Sequence, residues 1–131
     1  MKNIAIIEGR LGQNPTTSSH SGSDPVTTFS VAINRRWKTE SGEQKEAVDW
    51  FQVKCWGRLA KPASNLQKGD TVAVSGPIRT STYEKDGVER TAYSIQANHL
   101  RKIDFSIYGD KDAEIADEMV QDAHADQASP F

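Results

Sequence analysis

The stretch Val48–Trp56, V-D-W-F-Q-V-K-C-W, constrains the chain more than any other. Side chains along a strand alternate with period 2, so Trp50, Gln52, Lys54 and Trp56 share one face while Asp49, Phe51, Val53 and Cys55 share the other. The second face reads as a core face. The first groups two indoles with an amide and an ammonium, and a buried lysine must be paired or suffer a heavy desolvation cost. Large apolar side chains grouped with polar ones on an accessible face mark a contact surface. Aromatic side chains interleaved with cations are what single-stranded nucleic acid requires of a binding floor.

The rest of the chain supplies a frame of strands. Asn3–Glu8 is short, apolar and β-branched, and Val26–Asn34 alternates with Phe29, Val31 and Ile33 on one side. Asp70–Gly76 places Val72 and Val74 inward and, broken or bulged at Pro77, runs on through Ile78–Glu84 as one segment, and Val88–Ala97 returns from a Lys85-Asp86-Gly87 turn, with Asp-Gly the expected hairpin corner. Thr16–Pro25 is polar enough to predict a loop, and Gly57–Lys68, interrupted by Pro62, predicts a short helical connector in which Leu59, Ala63 and Leu66 cap one end of the core. Five main β segments with one connector between the third and fourth predict an all-β, five-stranded oligonucleotide-binding (OB) barrel, with a small β-sandwich as the alternative. Ile103–Tyr108 alternates again and predicts an additional strand that extends the sheet or reaches a neighbouring subunit.

The chain of 131 residues suffices for one hydrophobic core. Cys55 is the single cysteine, which excludes an internal disulfide and a multi-thiolate metal site. His20, His99 and His124 are isolated from one another and from any nucleophile, so neither catalysis nor a metal or other cofactor is expected. The apolar run at the N-terminus is too short for a signal sequence and none approaches a membrane span, which predicts a soluble, cytoplasmic protein with no membrane partner.

The formal net charge of −2 hides a partition. Residues 1–108 carry 15 Lys/Arg against 11 Asp/Glu, a net of +4, whereas residues 109–131 carry one Lys against seven Asp/Glu, a net of −6. Steering of a polyanion depends on the local field, so a basic body with an acidic tail is compatible with nucleic acid. The boundary divides a binding domain, 1–108, from an acidic, flexible tail, 109–131. Arg35-Arg36-Trp37-Lys38 surrounds a further indole with cations at a strand end, giving phosphate attraction and a stacking surface together. Phosphate contacts are expected from some of Arg35, Arg36, Lys38, Lys54, Arg58, Lys61, Lys68 and Arg79.

These blocks together resemble the bacterial-type single-stranded DNA-binding proteins. Ile6-Ile7-Glu8-Gly9-Arg10-Leu11-Gly12 with Pro15, Phe29–Lys38, Trp50–Ala60, Leu66–Gly76 and Tyr83–Arg90 are similar to successive motifs of that family across roughly residues 3–100. The resemblance implies a homotetramer that binds single-stranded DNA without sequence choice during replication, recombination and repair. It implies stacking roles for Trp37, Trp50, Trp56 and Tyr83, and a place for Phe51 in subunit contacts. The ending resembles an acidic tip that recruits replication and repair proteins, here through Asp122, Asp126, Pro130 and Phe131. Ser81 and Thr82 stand where members often carry arginine and lysine, which weakens the charge along that edge. A dimeric primosome or recombination accessory is the alternative binding reading. A nuclease is a more distant one, because the acidic residues form no recognisable metal motif.

Overall fold

The computed structural model of the chain describes residues 1–19 and 22–104. The expected strand at 103–108 and the acidic tail, with Asp122, Asp126, Pro130 and Phe131, lie partly or wholly outside the described residues. The architecture is all-β, but the five-stranded closed barrel is not what forms. Eight strands build one open sheet of order β6-β7-β4-β3-β1-β5-β8, with β2 pairing to β3 alongside this path. They are β1 Ala5–Leu11, β2 Thr16–Ser18, β3 Val26–Lys38, β4 Gln44–Trp56, β5 Thr71–Gly76, β6 Ile78–Lys85, β7 Val88–Gln96 and β8 His99–Ile103.

Three local events raise the strand number. Thr16–Ser18, predicted as loop, adds to the start of β3, where the buried Thr27 hydroxyl donates to the Ala60 carbonyl at 2.7 Å and lies 2.8 Å from the Thr17 hydroxyl. Pro77 lacks the ladder donor and separates β5 from β6. At Ala97–Asn98 the chain changes partner: the Ala97 N–H donates to the Lys54 carbonyl and the Asn98 N–H to the Ser75 carbonyl. Beyond this change the chain forms β8, antiparallel to β5. The outer strands β6 and β8 end the path without pairing to each other among the described residues, so the sheet stays open.

The dominant unit is the β3–β4 hairpin, continuous from Val26↔Trp56 to Lys38↔Gln44. Its turn is closed by hydrogen bonds between Thr39 and Glu43, with Gly42 at positive φ. The β6–β7 hairpin turns at Asp86-Gly87, φ 55° and 77°, the positive pair that a two-residue type I′ corner requires. One face of the central strands forms the core: Phe29 and Val31 of β3, Val53 and Cys55 of β4, Val72 and Val74 of β5, and Ile95 of β7.

The predicted connector is a 3₁₀ turn, Gly57–Leu59, running into a five-residue helix α1, Ala60–Ser64. Pro62 falls in the first turn of α1, where its missing N–H would have no helical partner in any case. Ala63 and Leu66 are buried and join the core, with Leu59 packed against it, as the end-cap reading expects. Close strand approach fixes two glycines. A Cβ at Gly9 would lie 2.4 Å from the Ala32 carbonyl oxygen, and one at Gly76 would lie 1.9 Å from that of Gln96.

Candidate nucleic-acid interface

Register determines which side chains share the surface opposite the core. On β4, Trp50, Gln52, Lys54 and Trp56 face away from Val53 and Cys55, as alternation predicts. Across the hairpin they meet Ala32, Ser30, Thr28 and Val26, which are too small to cover an indole. On its other side β4 runs parallel to β7 for two residue pairs, Val53↔Ile95 and Lys54↔Gln96. Gln96 therefore shares the face of Lys54, and with it Ser94, Ala92 and Arg90 along β7. The β6–β7 register then adds Arg79, opposite Ser94, and Tyr83, opposite Arg90. The Arg79 Nε–H donates to the Gln96 side-chain carbonyl at 2.9 Å, which ties β6 to β7 on this face.

One surface thus carries Trp50, Lys54, Trp56, Arg79, Tyr83 and Arg90. Trp56 and Tyr83 are 45% and 46% exposed, whereas Trp50 and Lys54 are half-buried. Open aromatic faces beside retained cations are suited to stacking planar bases and holding an anionic backbone between them. Arg90 was not among the expected phosphate ligands. A two-residue Asp-Gly corner sets Lys85 opposite Val88 and so Tyr83 opposite Arg90, a signal already present in the turn.

The remaining expected residues are distributed elsewhere. Trp37 is 42% exposed, but strict β3–β4 alternation places it on the Val53 side of the hairpin, beyond the core. Arg35, on the same side, pairs with Asp49 at 2.7 Å, and its guanidinium lies 5.3 Å from the centre of the Trp37 ring. Arg36 approaches Glu46 across the hairpin at 3.4 Å, and Lys38 is exposed at the strand end. Phe51 is half-buried opposite Val31 and packs against the core. Arg58 lines a cleft with His99 and Arg101 on the β5–β8 side. Lys68 borders a separate polar cleft, where its backbone N–H donates to the Asn14 side chain, and Lys61 is exposed on α1.

Cys55 is fully buried, and burial pushes its thiol up to about 11. Among the described residues no group of three or more His, Cys, Asp or Glu side chains is placed to hold a metal ion. No helix among them is long and apolar enough to cross a membrane.

Similarity to known proteins agrees with this geometry. The Single-strand binding protein family matches residues 2–120. A single-stranded DNA-binding protein of Neisseria meningitidis serogroup A is 36% identical over 103 residues, covering 77% of this chain and 59% of that protein. The chain therefore spans little more than half the length of that relative. A single-stranded DNA-binding protein of Aquifex aeolicus is 35% identical over 104 residues, covering 79% of this chain and 71% of that protein. Among solved structures, the Plasmodium falciparum SSB in complex with ssDNA superposes with a TM-score of 0.73 at 25% identity, covering 79% of this chain and 96% of that one. A single-stranded DNA-binding protein from Thermus aquaticus shares the fold, with a TM-score of 0.69 at 23% identity over 79% of this chain and 51% of its own. On these matches and the aromatic, cationic face that β4, β6 and β7 present, the chain belongs to the single-strand binding protein family.

Proposed function

We propose that this chain binds single-stranded DNA without base selectivity and acts in replication, recombination and repair, by binding rather than by catalysis. The observation that carries the reading is the common face of Trp50, Lys54, Trp56, Arg79 and Tyr83 across β4, β7 and β6. Bases stack on Trp50, Trp56 and Tyr83, with Trp37 as an outlying platform on the β3–β4 hairpin. Each stacked base contributes roughly 1–3 kcal/mol and none is distinguished by its edge. Lys54, Arg79 and Arg90 take phosphates along this floor. Arg35, Arg36 and Lys38 extend the basic track along the hairpin, and Arg58, Lys61 and Lys68 extend it past the connector.

The protein self-associates, as a homotetramer. β1 supports this: it pairs with β5 from Ala5 to Arg10 but with β3 only at Arg10 and Leu11, and Ile4 just before it and Ile6 within it are 70% and 79% accessible. An unpaired strand edge beside apolar side chains is a template for another strand. Phe51 contributes to subunit contacts from its half-buried position. Residues 1–108 form the binding domain. Residues 109–131 form an acidic tail whose Asp122, Asp126, Pro130 and Phe131 engage replication and repair proteins in the cytoplasm.

The test is a titration with poly(dT) over a salt series, followed by tryptophan quenching, with mass measured on the same sample. Saturable quenching that weakens steeply with salt, on a tetrameric species, is the expected result. Absence of quenching at low salt refutes the binding reading, and a dimeric mass favours the accessory-protein alternative.

A further inference from the structure

The hairpin cations include one arranged unlike the rest. Arg35 lies opposite Ala47, whose methyl group leaves the adjacent surface open, and Asp49 is two residues further along β4 on the same face. The Arg35 Nε donates to Asp49 Oδ2 at 2.7 Å, within the range of a charge-assisted hydrogen bond. The same guanidinium sits 5.3 Å from the Trp37 ring centre. Carboxylate, guanidinium and indole therefore form one chain of contacts, in which the cation lies over one face of the ring. The Arg36–Glu46 pair on the opposite face is looser, at 3.4 Å, and involves no ring.

We propose that Asp49 is a positioning residue for nucleic-acid binding: it holds Arg35 against the Trp37 indole, so a nucleic-acid strand engages this end of the hairpin only by exchanging a phosphate for the Asp49 carboxylate. The inference rests on the single-stranded DNA reading above and deepens it. Exchange leaves the carboxylate to be neutralised by a cation from solution. That uptake offsets the cation released from the phosphate, so the Arg35 contact adds little to the salt dependence. Trp37 is then a conditional platform, whereas Trp56 and Tyr83 are open from the outset.

The experiment compares full-length wild type with D49N, R35Q, the R35Q/D49N double variant and E43Q in poly(dT) titrations between low and moderate salt. Glu43 is an exposed carboxylate in the same hairpin turn and controls for simple loss of negative charge. D49N is expected to tighten binding roughly two- to fivefold at low salt, the range of an exposed ion pair. It is also expected to steepen the salt slope by about 0.7, one phosphate contact to a single strand. Neither change is expected from E43Q, nor from adding D49N to R35Q. The Arg35 Nε–H resonance of the DNA-free protein is expected to move in D49N. A D49N effect equal to that of E43Q, one that persists without Arg35, or an unmoved Arg35 resonance overturns the inference while leaving DNA binding intact. Wild-type protein that fails to bind poly(dT) overturns the binding reading and this inference with it.

Discussion

Replacing Trp56 with alanine separates a stacking role from a structural one. The indole is 45% exposed at the end of β4, opposite Val26, and its neighbour Cys55 carries the core contact on the other face. Full burial would make truncation of an aromatic cost about 3–5 kcal/mol of stability; with nearly half the ring in solvent, the loss should be about half that or less. Binding should suffer a loss of comparable size. A stacked base is worth roughly 1–3 kcal/mol, and each 1.4 kcal/mol is a factor of ten, so the poly(dT) Kd should rise roughly 5- to 150-fold. No charge is removed, so the slope of log K against log salt should match wild type. Replacing Lys54 with glutamine should do the reverse, flattening the slope by about 0.7. The assay is competition against labelled dT oligomer, which does not depend on the fluorescence of the residue removed. Trp56→Phe, which retains a π face, should recover most of the affinity. A Trp56→Ala loss below about twofold, or an altered slope, would refute the assignment of Trp56 as an open stacking platform.

Other expectations arise from the same geometry. Gly76→Ala places a Cβ 1.9 Å from the Gln96 carbonyl oxygen, a clash with backbone, and should lower Tm sharply in a thermal scan where a Ser81→Ala change on exposed β6 costs far less. The buried thiol of Cys55 is pushed up to about 11, so between its ordinary value near 9 and 11 the folded state retains a proton that the unfolded chain loses. Stability should therefore be undiminished below pH 9 and fall as pH rises, by about 1.4 kcal/mol per unit, and Cys55→Ala should remove that component of the slope in urea titrations. Ile6→Asp places a charge on the exposed apolar side of β1 and should lower the mass measured by light scattering without unfolding the protomer; an unchanged mass would count against β1 as an assembly surface.

Much of the shared aromatic and cationic face was legible in the sequence because period-2 alternation is local. Trp50, Lys54 and Trp56 fall together from β4 alone, and the Asp86-Gly87 corner fixes β6 against β7 within a few residues. What local pattern could not supply was long-range pairing. Thr16–Ser18 becomes a strand by pairing with the start of β3, where the Thr17 and Thr27 hydroxyls meet and Thr27 donates on to the Ala60 carbonyl, far away in sequence. His99–Ile103, H-L-R-K-I, lacks a clean apolar alternation and is a strand because β5 offers it an edge after the partner change at Ala97–Asn98. The closed five-strand expectation failed at these points and at Pro77. The Asp49 and Glu46 partners of the hairpin arginines were likewise hidden. Cross-strand neighbours depend on the register, which the turn between Thr39 and Glu43 sets.

The β6–β7 arm joins the body near its base, through two β4–β7 residue pairs, Val53↔Ile95 and Lys54↔Gln96, and two hydrogen bonds between Asn3 and Ile78, while every residue of β6 is exposed. Mechanically it is a cantilever, clamped at its base and free at the Asp86-Gly87 tip, with Tyr83 near the loose end. Deflection grows with distance from a clamp, so the spacing between Tyr83 and Trp56 is expected to be the most compliant dimension of the proposed binding floor. Single-stranded DNA has no fixed rise between bases. If the proposed stacking floor holds such a strand, one adjustable span would accommodate that irregularity by bending protein rather than by straining the nucleic acid.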